Sequence, residues 1–144
     1  MQPFNIYYRS MNPPLDDTPY INSLIDELIE GEQILINSFD YLLSIDDDER
    51  SKEIYQELIN DSKNHIRLLK VIYMNLNNKV YEEKKVSTMV LKDIKNIMLK
   101  SSRMSKKYRK ILYSVKSNVH RYMLSDIITD TTNNLVLLNM LKSE

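Results

Sequence analysis

The sequence predicts an all-α protein, an antiparallel four-helix bundle built from two helical hairpins. Of its 144 residues only one is Gly and four are Pro, and three of those prolines lie within the first fourteen positions. So few turn residues indicate long helices and exclude a sandwich of many short strands. Apolar residues recur three and four positions apart in four long stretches, which is typical of the buried faces of helices. A chain of this length can bury a core of normal size as one domain.

Residues 1–19 carry aromatic residues and all four prolines without helical periodicity, so we expect them to form an extended N-terminal arm. The helical bundle is predicted over residues 20–142. Its first helix is expected from about residue 20 to residue 44. The inward face of this helix is predicted to hold Ile25, Leu28, Glu32, Leu35, Phe39 and Leu42.

The acidic segment 45–49 predicts a short turn before the second helix, because acidic residues stabilise the positive N-terminal end of a helix. The second helix is expected to end between residues 75 and 78. Its inward face is predicted to hold Ile54, Leu58, Ser62, His65, Leu69 and Ile72. The charged, aperiodic segment 79–87 is too long for a tight turn and predicts a crossover along the bundle.

Ser87 or Thr88 is predicted to cap the third helix. The inward face of the third helix is predicted to hold Ile94, Ile97, Ser101, Met104, Tyr108 and Ile111. After a turn at 114–118, the fourth helix is expected over about 119–141. Its inward face is predicted to hold Leu124, Ile127, Thr131, Asn134, Leu138 and Leu141. Each helix therefore places a polar residue near its midpoint, facing the bundle axis.

The two halves of the chain, about 20–76 and 88–142, indicate an internal duplication. A shift of sixty-nine residues superposes Phe39 on Tyr108 and Asp61 on Asp130, together with several apolar positions. Asp61 lies at the edge of the inward stripe, so we expect it to make a contact on the helix surface. His120 follows the last turn and is expected to be exposed.

The composition excludes several kinds of chemistry. The absence of Cys rules out disulfides, thiolate catalysis and Cys-based metal sites. No apolar, uncharged stretch is long enough for a transmembrane helix, and no signal-peptide pattern opens the sequence. We therefore expect a cytoplasmic protein. The net charge is zero, but acidic residues dominate 26–57, whereas 92–116 holds a single acidic residue, Asp93.

Three segments carry a resemblance to a known family: 30–39 (EGEQILINSF), 61–65 (DSKNH) and 127–134 (IITDTTNN). They resemble the rubrerythrin-type ferritin-like proteins of bacteria, particularly small members with a Pro- and Tyr-rich N-terminal arm. The resemblance covers about residues 20–141 and implies a ferritin-like bundle. In the family, six inward positions hold iron or manganese and support ferroxidase or peroxidase chemistry. The corresponding positions here are Glu32, Ser62, His65, Ser101, Thr131 and Asn134.

Only Glu32 and His65 keep the pattern of that family. Two divalent ions carry four positive charges, and the hydroxyls and the Asn134 amide at the other positions are poor ligands for them. We therefore predict a degenerate site without a cofactor, in which Glu32 and His65 form a buried hydrogen-bonded pair. The alternative is a weak single iron, manganese or zinc ion held by Glu32, His65 and Asn134.

The leading functional hypothesis is a non-enzymatic protein with a structural, assembly or partner-binding role, acting as a homo-oligomer or with a protein partner. A first alternative is a working iron or manganese oxidoreductase. A second is binding of nucleic acid or an anionic surface through a basic face of the third helix, formed by Arg103, Lys107 and Lys110. A solvated face, or one paired with the acidic hairpin, explains such a run more often, so nucleic acid is not the expected partner. No catalytic residue is assigned.

Overall fold

The computed structural model describes residues 17–142, which form four helices. In chain order, α1 spans Thr18–Ile45, α2 spans Glu49–Asn77, α3 spans Ile94–Ser114 and α4 spans Asn118–Lys142. No strand occurs within these residues. α1 packs on α2 and α3, and α4 packs on α3 and α2, so the helices form a closed four-membered bundle. The predicted all-α four-helix bundle is confirmed.

The first helix begins earlier than predicted. α1 starts at Thr18 with Pro19 in its first turn, so residues 18 and 19 belong to the helix and their assignment to the arm was wrong. Proline fits there because a backbone N–H in the first turn of a helix has no acceptor within the helix, so its absence from proline costs no hydrogen bond. The rest of the predicted arm, residues 1–16, lies outside the described residues.

Both ends of α2 follow from local side-chain chemistry. At the start, the Asp48 carboxylate accepts hydrogen bonds from the Ser51 backbone N–H and hydroxyl, both at 2.9 Å. The backbone hydrogen bond is the main reason why the pKa of Asp48 is lowered. At the end, Asn78 adopts a left-handed conformation with φ of 56°, which Asn tolerates better than most residues.

The crossover, residues 78–93, runs along the outside of α1. The Tyr81 hydroxyl donates to Asp26 at 2.8 Å near its beginning, and the Leu91 N–H donates to the Ser38 hydroxyl at 2.8 Å near its end. The crossover therefore travels about three helical turns up α1. Because α3 then starts beside the far end of α1, the two helices run antiparallel.

The predicted cap of α3 was wrong. The helix begins at Ile94, and the Asp93 carboxylate accepts from the Lys95 N–H at 2.9 Å. Ser87 instead lies in the crossover, where its hydroxyl accepts from the Met89 N–H at 3.2 Å. A Ser, a Thr and an Asp can all cap a helix, so the choice among them depended on how far the crossover had to reach.

The core lies between the four inward faces that the periodicity predicted. Ile54, Ile94 and Asn134 are only partly buried, and the other predicted inward residues are buried. Gly31 leaves room for the Met104 side chain of α3, because a Cβ at that position would lie 2.9 Å from the Met104 sulfur. Most of the core is apolar, but its middle layer is polar.

Among the helices of residues 17–142, none combines the length and the apolar character required to cross a lipid bilayer.

Replacing Ser38 with Ala tests the anchoring of the crossover. Ser38 is fully buried, and its hydroxyl accepts from Leu91 N–H while donating to the Ile34 carbonyl at 2.7 Å. Loss of the acceptor leaves the Leu91 N–H unpaired, so we expect the free energy of unfolding to fall by about 1–2 kcal/mol in urea titrations.

The matched control is Ser44→Ala. Ser44 also hydrogen-bonds a carbonyl of its own helix, that of Tyr41 at 2.6 Å, but it is exposed and contacts no crossover residue by hydrogen bond among those described. Its replacement should change stability by no more than about 0.5 kcal/mol. Equal effects of the two substitutions would contradict the anchoring role of Ser38.

Candidate functional site

The six residues predicted to form a site meet at one place in the bundle. They line a cavity of about 20 Å³, which we call the central cavity, together with apolar residues of the core layers around it. The six are Glu32, Ser62, His65, Ser101, Thr131 and Asn134. Helical periodicity alone placed them on the inward faces, and packing brings them to the same level.

His65 is held between two carboxylates. Its Nδ1 lies 3.1 Å from Glu32 Oε2 and its Nε2 lies 3.0 Å from Asp130 Oδ2. Carboxylates accept hydrogen bonds but cannot donate them when ionised, so both ring nitrogens of His65 must carry a proton to make these two contacts. The arrangement favours an imidazolium ion in the middle of the bundle. The expected buried pair of Glu32 and His65 is part of a longer series of hydrogen bonds.

Tyr108 completes this series of hydrogen bonds. Its hydroxyl donates to Glu32 Oε2 at 2.5 Å, and the side chain is completely buried. Burial, followed by the negative charge of Glu32, raises the pKa of Tyr108 well above its usual value, which keeps the phenol protonated as a donor. Glu32, His65, Tyr108 and Asp130 form the central network, with one residue from each helix.

The sequence did not reveal two members of the central network. Helical spacing placed Tyr108 on the inward stripe of the third helix, where it was given no role in the site, and its counterpart in the first half of the chain is Phe39. Asp130 was noted only as the counterpart of Asp61. The signals were a hydroxyl where the other half has none, and an acidic residue repeated at the edge of both inward stripes.

Asp61 does lie at the edge of the site, as expected. Burial raises the pKa of Asp61, a hydrogen bond from Asn134 opposes that shift, and the negative charges of Asp130 and Glu32 add to it. The site thus holds three carboxylates near one imidazole. Within residues 17–142, however, no three His, Asp or Glu side chains converge in the manner of a metal site.

The charge of His65 is set by opposing effects. Burial lowers its pKa and is the largest single effect, but the hydrogen bonds and charges of Glu32 and Asp130 together outweigh it and raise the pKa to about 8. An imidazolium has no lone pair for a metal ion. The donor set therefore does not fit a di-iron or di-manganese centre, and His65 could join a single-ion site only if one ring nitrogen lost its proton and its carboxylate contact.

His120 is buried, contrary to expectation. Its Nε2 accepts from the Asn75 amide at 3.1 Å, and burial lowers its pKa. The turn before α4 is tight, so the first turn of that helix packs directly onto the end of α2. His120 lies away from the central cavity and contributes nothing to it.

The predicted basic face of the third helix is only partly correct. Arg103 and Lys110 are exposed. Lys107 instead points toward α1, where its Nζ lies 2.7 Å from Glu27 Oε1. Lys106 is exposed and takes its place, so the outer α3 face consists of Arg103, Lys106 and Lys110.

Comparison of the chain with protein-family models, with curated proteins and with solved structures gave no match in any of the three.

We predict that His65 makes stability depend on pH between 6 and 9. Its pKa is about 8 in the fold, against an ordinary value of 6.5, so its stabilising contribution is complete below pH 6.5 and is lost as the pH rises through 8. Urea titrations should show the stability difference between wild type and His65→Gln shrinking by about 2 kcal/mol across this range.

The titratable groups facing His65 are Glu32, Asp130, Asp61 and Tyr108. His120→Gln is the matched control. Burial lowers the pKa of His120, so any effect of its titration on stability falls at a pH below this window. A difference between wild type and His65→Gln that is constant from pH 6 to 9 would show that His65 is not held as an imidazolium.

Proposed function

We propose that this protein is a non-enzymatic helical bundle with an assembly or partner-binding role, related to the ferritin-like proteins but without their di-iron chemistry. The observation that carries the proposal is the engagement of both His65 ring nitrogens by carboxylates. In this state the imidazolium supplies the positive charge that metal ions supply in a ferritin-like centre. The middle of the bundle then has a structural role.

Two further features support the relation to ferritin-like proteins. A single long crossover between two hairpins is characteristic of that fold. In addition, the six positions that the resemblance marks as ligand positions all line the central cavity. The ligands have been replaced by smaller neutral side chains, and Tyr108 and Asp130 now supply the remaining hydrogen bonds.

Metal content is the direct test. Protein purified from cells supplied with iron, manganese and zinc should contain these metals at well below one ion per chain. The reason is that His65 has no free lone pair and that the site provides only one buried carboxylate. Elemental analysis by mass spectrometry provides the measurement. Two tightly held ions per chain would overturn the proposal and favour the oxidoreductase.

A variant with restored ligands provides the positive control. Ser62→Glu, Ser101→Glu, Thr131→Glu and Asn134→His together rebuild the pattern of carboxylates and His residues found in ferritin-like centres. Provided that circular dichroism shows a helical fold, this variant should take up iron or manganese under the conditions in which wild type does not. Such a gain would assign the loss of metal to the side chains and not to the bundle.

A second candidate function rests on the outer α3 face, which could bind a nucleic acid. Arg103, Lys106 and Lys110 are exposed and form no ion pair with the described residues. Tyr113 follows on the same side of the helix with 77% of its surface exposed, which offers a ring for stacking on a base. The charge is concentrated here although the whole chain is neutral.

The combined change of Arg103, Lys106 and Lys110 to Glu tests this candidate. If the face contacts phosphates, wild type should bind a labelled single-stranded oligonucleotide in fluorescence anisotropy with a log–log salt slope of about −2, from three contacts at roughly −0.7 each. The variant should lose this binding. The control, Lys63→Glu with Arg67→Glu on the exposed side of α2, should keep it. Binding that is absent or insensitive to salt would eliminate the candidate.

A further inference from the structure

The crossover is hydrogen-bonded to α1 at two levels. At the first level, Asp26 accepts from the Tyr81 hydroxyl and from the Lys84 ammonium group, both at 2.8 Å. At the second level, the Asn37 amide donates to the Ser87 carbonyl at 2.8 Å. Asp26 and Asn37 are about three helical turns apart on α1, so the crossover spans a stretch of this helix between two attachments.

A cavity lies along this span, and we call it the crossover pocket. Its volume is about 270 Å³, and its walls come from α1, α2 and the crossover. Ile29 of α1 and Ile66 of α2 are partly buried against the core and give the pocket an apolar base. A volume at the lower end of the range for ligand pockets fits a molecule of about the size of an amino acid.

The charged side chains that line the crossover pocket fall into two groups. Most of them are held in ion pairs, namely Asp26 with Lys84, Glu83 with Lys70 and Glu27 with Lys107. Glu30 of α1 and Lys85 of the crossover also line the pocket, but neither forms an ion pair within residues 17–142. The pocket therefore presents one unpaired carboxylate and one unpaired ammonium group.

Both unpaired charges lie next to the first attachment of the crossover. Glu30 follows Asp26 by one helical turn, and Lys85 directly follows Lys84, the partner of Asp26. Ile29 precedes Glu30, so the apolar base begins beside the unpaired carboxylate. Opposite charges beside an apolar surface are complementary to a small zwitterion that carries an apolar substituent.

We propose that the crossover pocket binds a free amino acid with an apolar side chain. Glu30 accepts hydrogen bonds from the ammonium group of the ligand, and Lys85 donates to its carboxylate, so each contact is charge-assisted. The ligand side chain covers Ile29 and Ile66 and removes apolar surface from water. This site goes beyond the proposed function and does not rest on it, because it shares no residue with the central cavity or the outer α3 face.

NMR titration of isotope-labelled protein with L-phenylalanine tests the site. We expect saturable shifts in the backbone amide signals around the crossover pocket. Three analogues separate the contributions of the ligand: N-acetyl-L-phenylalanine lacks the ammonium group, phenethylamine lacks the carboxylate, and glycine lacks the side chain. Each should bind at least about tenfold more weakly, because it loses one of the three contacts. The absence of saturable shifts would overturn the proposal, as would an analogue that binds as tightly as L-phenylalanine.

Glu30→Gln and Lys85→Gln assign the two charged contacts. Both side chains are exposed, so the fold should be kept, and each change should weaken L-phenylalanine binding about tenfold. Glu30→Gln should leave the affinity for N-acetyl-L-phenylalanine unchanged, because that ligand has no ammonium group to lose. Lys85→Gln should likewise leave the affinity for phenethylamine unchanged, because phenethylamine has no carboxylate.

The matched controls are Asp40→Asn on α1 and Lys79→Gln in the crossover, because both residues are exposed and neither lines the pocket. Both variants should bind L-phenylalanine as wild type does. Wild-type affinity in Glu30→Gln or Lys85→Gln would overturn the proposal. Bound iron or manganese would contradict the proposed function, whereas failure to bind L-phenylalanine contradicts only this site.

Discussion

The bundle depends on how it satisfies one buried carboxylate. Glu32 lies at the centre of α1, out of reach of solvent, and its charge has to be matched by groups from the other helices. α2 supplies His65, α3 supplies the Tyr108 hydroxyl, and α4 supplies Asp130 as the second partner of His65. A buried ion pair of this kind adds little to stability compared with an apolar replacement, but breaking it is costly. Its effect is to require one arrangement of the four helices.

The crossover makes this arrangement possible. By running along α1 before α3 begins, it reverses the direction of α3 relative to α1 and brings Met104 against Gly31 and Lys107 against Glu27. Residue numbers in these contacts rise along α3 as they fall along α1, which is the pattern of an antiparallel pair. The Ser38 hydroxyl, which bonds both its own helix and the crossover, ties this segment to α1. The path of the crossover thus fixes the direction of α3 and, with it, the position of Tyr108 beside Glu32.

The interior and the surface of the bundle differ in which polar groups are already paired. In the interior, both ring nitrogens of His65 are engaged by carboxylates. On the surface, Arg103, Lys106 and Lys110 of α3 are exposed and form no ion pair within residues 17–142, whereas Lys107 pairs with Glu27.

The sequence by itself determined the helices, their inward faces and the level at which Glu32 and His65 meet, because burial follows the helical period and turn residues are scarce. Tertiary structure alone decided the rest. Whether Asp130 turns toward His65, whether Lys107 joins α1 and whether His120 is covered depend on the rotation and offset of neighbouring helices, which an edge position in a pattern does not record. Tyr108 shows the same limit, since an aromatic ring on an apolar stripe does not reveal where its hydroxyl will find a partner.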